Sequence, residues 1–110
     1  MMRCKFKDWE CGLKFGLHAN GGTAIQLISL QEPFDLIAIA TKNLPIKLLS
    51  IEVAIKDYSE NEGMLQALID AGVVHPPHKY YKTEYVVFPI CEITEETAIQ
   101  IIKEIEYNDK

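Results

Sequence analysis

Three histidines and three cysteines are the side chains of this chain with the widest chemical range: His18, His75, His78, Cys4, Cys11 and Cys91. His75 and His78 flank two prolines, so two imidazoles sit on a stiff segment that costs little to order. Zinc takes four nitrogen or sulfur ligands in a tetrahedron. His75, His78 and Cys91, with Cys4 or Cys11, offer the right donor types. No Cys-x-x-Cys is present, however, and the cysteines are scattered along the chain. The plainer account is an exposed histidine loop and a Cys91 that acts as a small buried hydrophobe. A cysteine hydrolase pairs its thiol with a histidine and an orienting amide or carboxylate. Cys11 and His18 qualify only if a hairpin brings them together, and Cys91 stands at the end of a strand pattern. No residue is assigned a catalytic role, and no cofactor is expected. Asn20-Gly21-Gly22 lacks the Lys-Ser/Thr of a phosphate-cradling loop and reads fully as a hairpin turn.

Acids and tyrosines offer a different chemistry, that of a docking surface. Asp57, Glu60 and Glu62 cluster before one helical pattern, and Glu95 and Glu96 open another. Glu104, Glu106 and Asp109 follow on or beside the second. A solvated face with favourable dipole placement accounts for any one of these carboxylates. Together they also make an acidic surface that suits a positively charged groove, such as a nucleic-acid channel. Lys42, Lys47, Lys56, Lys79 and Lys82 interrupt that acid. Tyr80, Tyr81 and Tyr85 follow the His-Pro-Pro-His segment, and tyrosines in a stiff loop bring large contact area with few rotors. The alternative is that two of the three complete the core. The expected partner-binding set is Asp57, Glu60, Glu62, Tyr80, Tyr81, Tyr85, Glu95 and Glu96.

Size and charge bound what these residues can do. One hundred and ten residues make one domain, residues 1 to 110, with ordinary globular composition: 48% hydrophobic and 25% charged. A net charge of −5 argues against direct binding to a phosphate backbone, which needs a basic face. No apolar run approaches the roughly 20 residues that span a bilayer. The charged start, Met1 to Lys7, does not read as a signal peptide. An odd number of irregularly spaced cysteines fits a reducing cytoplasm better than a disulfide framework.

The elements that must position these side chains read as strands first. Residues 3 to 9 alternate weakly as an edge strand, with a turn at Glu10-Cys11-Gly12. Leu13, Phe15 and Leu17 alternate with polar or small residues as a half-buried strand. Asn20-Gly21-Gly22 turns the chain into a strand from Thr23 to Leu30. Phe34 to Thr41 is apolar on both faces, which predicts a central strand covered on each side. Residues 46 to 50 are expected to hold Leu48 and Leu49 in the core. Val53-Ala54-Ile55 is a short strand. Ser59 with Glu62 has the spacing of a capping box, and predicts a helix ending at Gly72. Gly63 is its one misfit. The two prolines after His75 exclude a helix interior or a ladder position, Tyr80 to Glu84 reads as loop, and Tyr85 to Ile90 as a last strand that Pro89 marks as an edge or brings to its end. Thr94 caps a second helix, with Ala98, Ile101, Ile102 and Ile105 as its buried stripe and residues 107 to 110 fraying. The fold class is α+β: an antiparallel sheet of about five strands with two helices packed on it.

Three runs also carry a resemblance: Ala24-Ile25-Gln26-Leu27, Thr41-Lys42-Asn43-Leu44-Pro45, and Ile55-Lys56-Asp57-Tyr58-Ser59-Glu60-Asn61-Glu62-Gly63-Met64. In this order they resemble a family of small uncharacterised domains encoded by phages, plasmids and conjugative elements of gut and Gram-positive bacteria. The resemblance spans roughly residues 13 to 91 of the single domain. The chain departs from it at Lys42, where the family pattern has a valine-like residue, and at His-Pro-Pro-His. It brings no catalytic motif. It implies a mobile-element setting in the cytoplasm of a bacterial host. The expected function is a non-enzymatic protein that binds and modulates a host protein, most concretely an anti-CRISPR-type inhibitor of a nucleic-acid-binding effector. The alternatives are a small zinc-binding or cysteine-dependent enzyme, and a homo-oligomeric accessory protein built through an open sheet edge.

Overall fold

In a computed structural model, residues 2–108 are described, and their fold begins with an antiparallel meander: β1 (Arg3–Phe6), β2 (Trp9–Leu17), β3 (Thr23–Ser29) and β4 (Leu36–Ile39), in that spatial order. A second antiparallel sheet has the order β5-β7-β6, from β5 (Glu52–Ala54), β6 (Lys79–Lys82) and β7 (Val87–Glu92). Two helices, α1 (Met64–Asp70) and α2 (Glu95–Asn108), complete an α+β fold. Its strands form two sheets, four plus three, instead of a single sheet of about five.

The first turn falls at Lys7-Asp8, not at Glu10–Gly12. Phe6 pairs with Trp9 and Cys4 with Cys11, so β2 runs straight through Glu10, Cys11 and Gly12. This register puts Cys4, Phe6, Cys11 and Leu13 on one inward face, where all four are buried. A turn three residues later would have broken that row. Lys7 accepts a positive φ of 56° to close the turn. The Asn20-Gly21-Gly22 hairpin is as expected: Gly21 has φ +89°, and the His18 N–H donates to the Gly22 carbonyl.

β4 is not covered on both faces. It is the outer strand of its sheet, and Leu36 and Ile39 are exposed. Only beyond it, at Ala40 and Thr41, does the chain become fully buried, because there it crosses to the second sheet. Thr41 bridges Ile55, the Lys42 N–H donates to the Ala54 carbonyl, and the Lys56 N–H donates to the Ala40 carbonyl. The segment before β5 holds Leu48 against the core and leaves Leu49 exposed.

The second sheet is covered on both faces. Val53, Ile55, Cys91 and Ile93 turn toward the main core, shared with Ile25, Leu27, Met64 and Leu68. Ala54, Phe88 and Ile90 turn toward a smaller core with Leu44 and Leu48. Residues expected as loop, Tyr80 to Lys82, form edge strand β6. Pro89 accordingly sits in the central strand. Its carbonyl accepts the Ile55 N–H just past the end of β5, so its missing donor falls on the last rung, where it costs one ladder bond.

The stretch from Ser59 to Gly72 is helical, but in two pieces. Ser59–Asn61 is a single 3-10 turn with Ser59 at φ +57°, and Gly63 at φ +96° separates it from α1. Ser59 makes no capping bond. The cap comes from Asp57, whose Oδ1 accepts the N–H groups of Gly63 (3.0 Å) and Leu65 (3.1 Å). A carboxylate there also meets the positive end of the helix dipole. The buried Asn61 docks the 3-10 turn by donating Nδ2–H to the Ile39 carbonyl at 2.8 Å. At the other end, Gly72 at φ +73° donates to Ile69 and Val73 donates to Leu68. Those two bonds make a Schellman motif, with Leu68 and Val73 both fully buried beside it.

Thr94 Oγ1 caps α2 by accepting the Thr97 N–H, and its own hydroxyl donates to the Gly72 carbonyl. The helix turns Thr97, Ala98 and Ile101 toward the core. Ile102 and Ile105, expected in that stripe, are instead more than half exposed. Asp109 and Lys110 lie outside the described residues.

Candidate functional site

The expected partner-binding residues fall into three groups. Asp57 is engaged in capping α1 and is a structural carboxylate. Glu60 and Glu62 stand exposed on the turn that follows it. Hydrogen bonds from its own backbone N–H and from the Ser59 hydroxyl hold the Glu60 carboxyl below its ordinary range. Lys7 reaches across to this turn, its Nζ donating to the Glu60 carbonyl at 2.8 Å.

The tyrosines divide. Tyr81 points into the smaller core, opposite Phe88. Tyr80 on β6 is 58% exposed, and Tyr85 in the β6–β7 turn is 87% exposed. Tyr58, not singled out from the sequence, joins the two regions. Its ring meets Phe88 edge-on, with centroids 5.8 Å apart and an interplanar angle of 80°. The acidic turn at 58–62 and the tyrosine hairpin at 79–88 are therefore neighbours. Glu95 and Glu96 are exposed at the start of α2, beside Gly72. Gly72 closes α1 at the end opposite Asp57, so the seven residues of α1, about 10 Å, separate these acids from Glu60 and Glu62. The acidic turn thus meets the Phe88 side of the hairpin, whereas Tyr80, next to the inward Tyr81 on β6, projects from the opposite face, and Glu95 and Glu96 lie apart from both.

The nucleophile and metal candidates do not converge. Cys4, Cys11 and Cys91 are all buried free thiols. Burial pushes Cys4 and Cys91 up to about 11, with Cys11 and nearby carboxylates adding to the shift at Cys4. Cys11 is also raised, by burial and then by Glu10. A raised thiol pKa means little thiolate and a poor nucleophile. Cys11 and His18 are seven residues apart along extended chain, roughly 20 Å. His18 is engaged elsewhere, 2.8 Å from Thr41 Oγ1. The same oxygen also accepts the Ile25 N–H, so Thr41 ties the imidazole to β3. Burial, and then Lys42, lower the His18 pKa in keeping with the neutral form. His75 is exposed, whereas His78 bonds Glu52. Among the described residues, no three of His, Cys, Asp and Glu gather as a metal would require.

Glu52 is the polar residue that sequence reasoning missed. It is 3% exposed, yet its carboxylate has three partners: the Leu49 N–H at 2.8 Å, His78 Nε2 at 2.6 Å and Lys79 Nζ at 3.2 Å. The Leu49 N–H lowers its pKa; burial opposes this, and His78 and Lys79 add to the lowering. The only signal in the chain was a glutamate inside the apolar run from Ile51 to Ile55. Glu52 lines a cleft of about 250 Å³ between the β2–β3 turn and the 42–50 segment, with His18, Asn20, Lys42 and Lys47.

Comparison of the chain with family models, with curated proteins and with solved structures finds no match. Among the described residues, no helix is long and apolar enough to cross a membrane.

Proposed function

We propose that this chain is a non-enzymatic interaction domain that binds and modulates a protein of a bacterial host, in the cytoplasm. The observation that carries this reading is the edge contact of Tyr58 with Phe88, which sets the exposed Glu60 and Glu62 beside the hairpin bearing Tyr80 and Tyr85. A surface that mixes rigid aromatic rings with carboxylates suits a partner with a basic, partly apolar groove. The most concrete partner is a nucleic-acid-binding defence effector, inhibited in the anti-CRISPR manner. That step rests on the resemblance to mobile-element domains and on the net charge of −5. Direct nucleic-acid binding is not part of the proposal.

The test is a pull-down from bacterial lysate at low salt with micromolar bait, run with wild type and with a Tyr80→Ala/Tyr85→Ala double variant. Both side chains are mostly exposed, so the variant keeps its fold while losing the anchors. A captured protein that is lost with the double variant is the expected result. Recovery of no partner, or full retention by the variant, refutes the docking surface.

A second reading is favoured by Ile99, Ile102 and Ile105, which are 46%, 54% and 56% exposed along one side of α2. Such a row suits self-association. Light scattering of wild type against Ile102→Lys reads it directly: a dimer that the substitution dissociates supports this reading, and a monomer removes it.

A further inference from the structure

The first hairpin sets two of the three thiols side by side. In the register of β1 against β2, Cys4 lies directly opposite Cys11, and both are buried on the inward face. In the same register Leu13 opposes Met2, and its N–H donates to the Met2 carbonyl. Hydrogen-bonded and non-hydrogen-bonded pairs alternate along an antiparallel ladder, so Cys4 and Cys11, two residues on, are again a hydrogen-bonded pair with Cα atoms about 5.5 Å apart. That lies inside the window of about 4.4 to 6.8 Å that a disulfide spans. The Cβ atoms of such a pair stand further apart than those of the alternating non-hydrogen-bonded pair, so a bridge here is strained and easily reduced. Cys91, on β7 of the other sheet, lies opposite Val53 instead.

We propose that Cys4 and Cys11 form a reversible oxidation site, bridged as an intrachain disulfide by exchange with a small disulfide of the glutathione class, with Cys91 left as a thiol. Cys4 is the outer of the two. It lies on edge strand β1 and borders the groove between β1 and α1, whereas the strand of Cys11 is flanked by β1 and β3. As β1 opens, the Cys4 thiolate attacks the small disulfide, forms a mixed disulfide and releases one small thiol. The Cys11 thiolate then attacks the Cys4 sulfur and releases the second. Two protein thiols are oxidised, one small disulfide is reduced to two thiols, and the two protons pass to the leaving sulfurs. Burial raises both thiol pKa values, which slows the exchange without altering its product. The weak bonds from Cys4 to the Ala67 carbonyl and from Cys11 to the Trp9 carbonyl are given up. The bridge fixes the hairpin whose turn carries Lys7, the residue that holds the Glu60 carbonyl.

The test is to equilibrate the full chain in a buffer of reduced and oxidised glutathione, approached from both the reduced and the oxidised side, and to map the quenched product by trypsin digestion and mass spectrometry. Cleavage after Arg3, Lys5, Lys7 and Lys14 puts Cys4 and Cys11 on different peptides, and Cys91 falls on a third, residues 83 to 103. The expected product is Cys4-Lys5 joined to residues 8 to 14, lighter by two hydrogens, with Cys91 still open to alkylation. An unfolded chain also favours this pair, because a loop of about eight residues closes readily. The ratio of bridged to free chain at one glutathione composition is therefore compared between folded and urea-unfolded protein. It should be about tenfold or more higher in the folded protein, because the unfolded chain gives up loop entropy to close the bridge and the folded hairpin gives up only the strain. Cys91→Ala should leave the product unchanged, and Cys4→Ala should remove it. The proposal is overturned if the folded protein holds the bridge no more strongly than the unfolded chain, if Cys91 enters the main bridge, or if only glutathione adducts form. The wild-type measurement decides this without any variant. None of these readouts involves Tyr80 or Tyr85, so this site and the docking surface stand or fall separately.

Discussion

Replacing Glu52 by glutamine should uncouple stability from pH in the acid range. The carboxylate is almost fully buried and is met by one backbone N–H, the His78 ring and the Lys79 ammonium. Glutamine keeps the shape and one acceptor oxygen but loses the charge. The Leu49 bond is the most sheltered of the three, whereas the side chains of His78 and Lys79 are 40% and 52% exposed and solvent screens them. One hydrogen bond to a charged group, plus the discounted contacts with His78 and Lys79, gives a loss of about 2 kcal/mol near neutral pH. At this size that is a fall in Tm of roughly 10 °C. The sign in pH follows from the lowered carboxyl pKa. A group whose folded pKa lies below its ordinary value, here 4.5, contributes stability above that value and loses it as pH falls through the folded pKa. The gap between wild type and Glu52→Gln should therefore be full at pH 6 to 7 and should shrink steadily below about pH 4.5. Urea unfolding followed by circular dichroism at a series of pH values reads it. A gap that stays constant down to pH 3, or a more stable glutamine variant at pH 7, would refute the account of Glu52 as an ionised, partnered carboxylate.

Three further outcomes follow from the folded geometry. Asp57→Ala should cost about 1 to 2 kcal/mol by removing the acceptor for two N–H groups of α1, and Ser59→Ala less than about 0.5 kcal/mol; the reverse order in urea unfolding would restore the capping box at Ser59. Gly72→Ala should destabilise by about 1 kcal/mol in the same assay because of its φ of +73°, since the nearest atom to an added Cβ, Glu96 Oε2, is an uncrowded 3.6 Å away. All three thiols should resist a disulfide reagent at pH 8 in the native state and react together once denaturant is added, while rapid native labelling of any one would contradict its burial and raised pKa.

The fold class was legible because it depends on neighbours in sequence. Alternation at Leu13 and Phe15, the Asn20-Gly21-Gly22 turn, the Thr94 cap and the Gly72 stop all act over a few residues, and each appears where its local chemistry places it; Leu17, expected on the same buried face, is 77% exposed where β2 runs out to the turn. Short-range rules misplaced elements where two local signals competed. Glycine at 12 suggested a turn, but an unbroken inward row from Cys4 to Leu13 outweighs it. Ser59 and Glu62 have capping spacing, but Gly63 breaks the helix between them and hands the role to Asp57. Pro89 suggested an edge, yet the rung it spoils lies just beyond the end of β5.

By itself, then, the chain determined its periods, its stops, its acidic balance and the scatter of its cysteines. Tertiary structure decided which of those residues meet. Glu52 finds His78 across 26 positions, Tyr58 finds Phe88 across 30, and Glu104 comes to a cavity walled by Leu13 and Ile28 from some 90 positions away. Such pairings are fixed by how two sheets and two helices bury their apolar faces together, and only that arrangement fixes whether a carboxylate is a cap, a buried partner or part of an open surface.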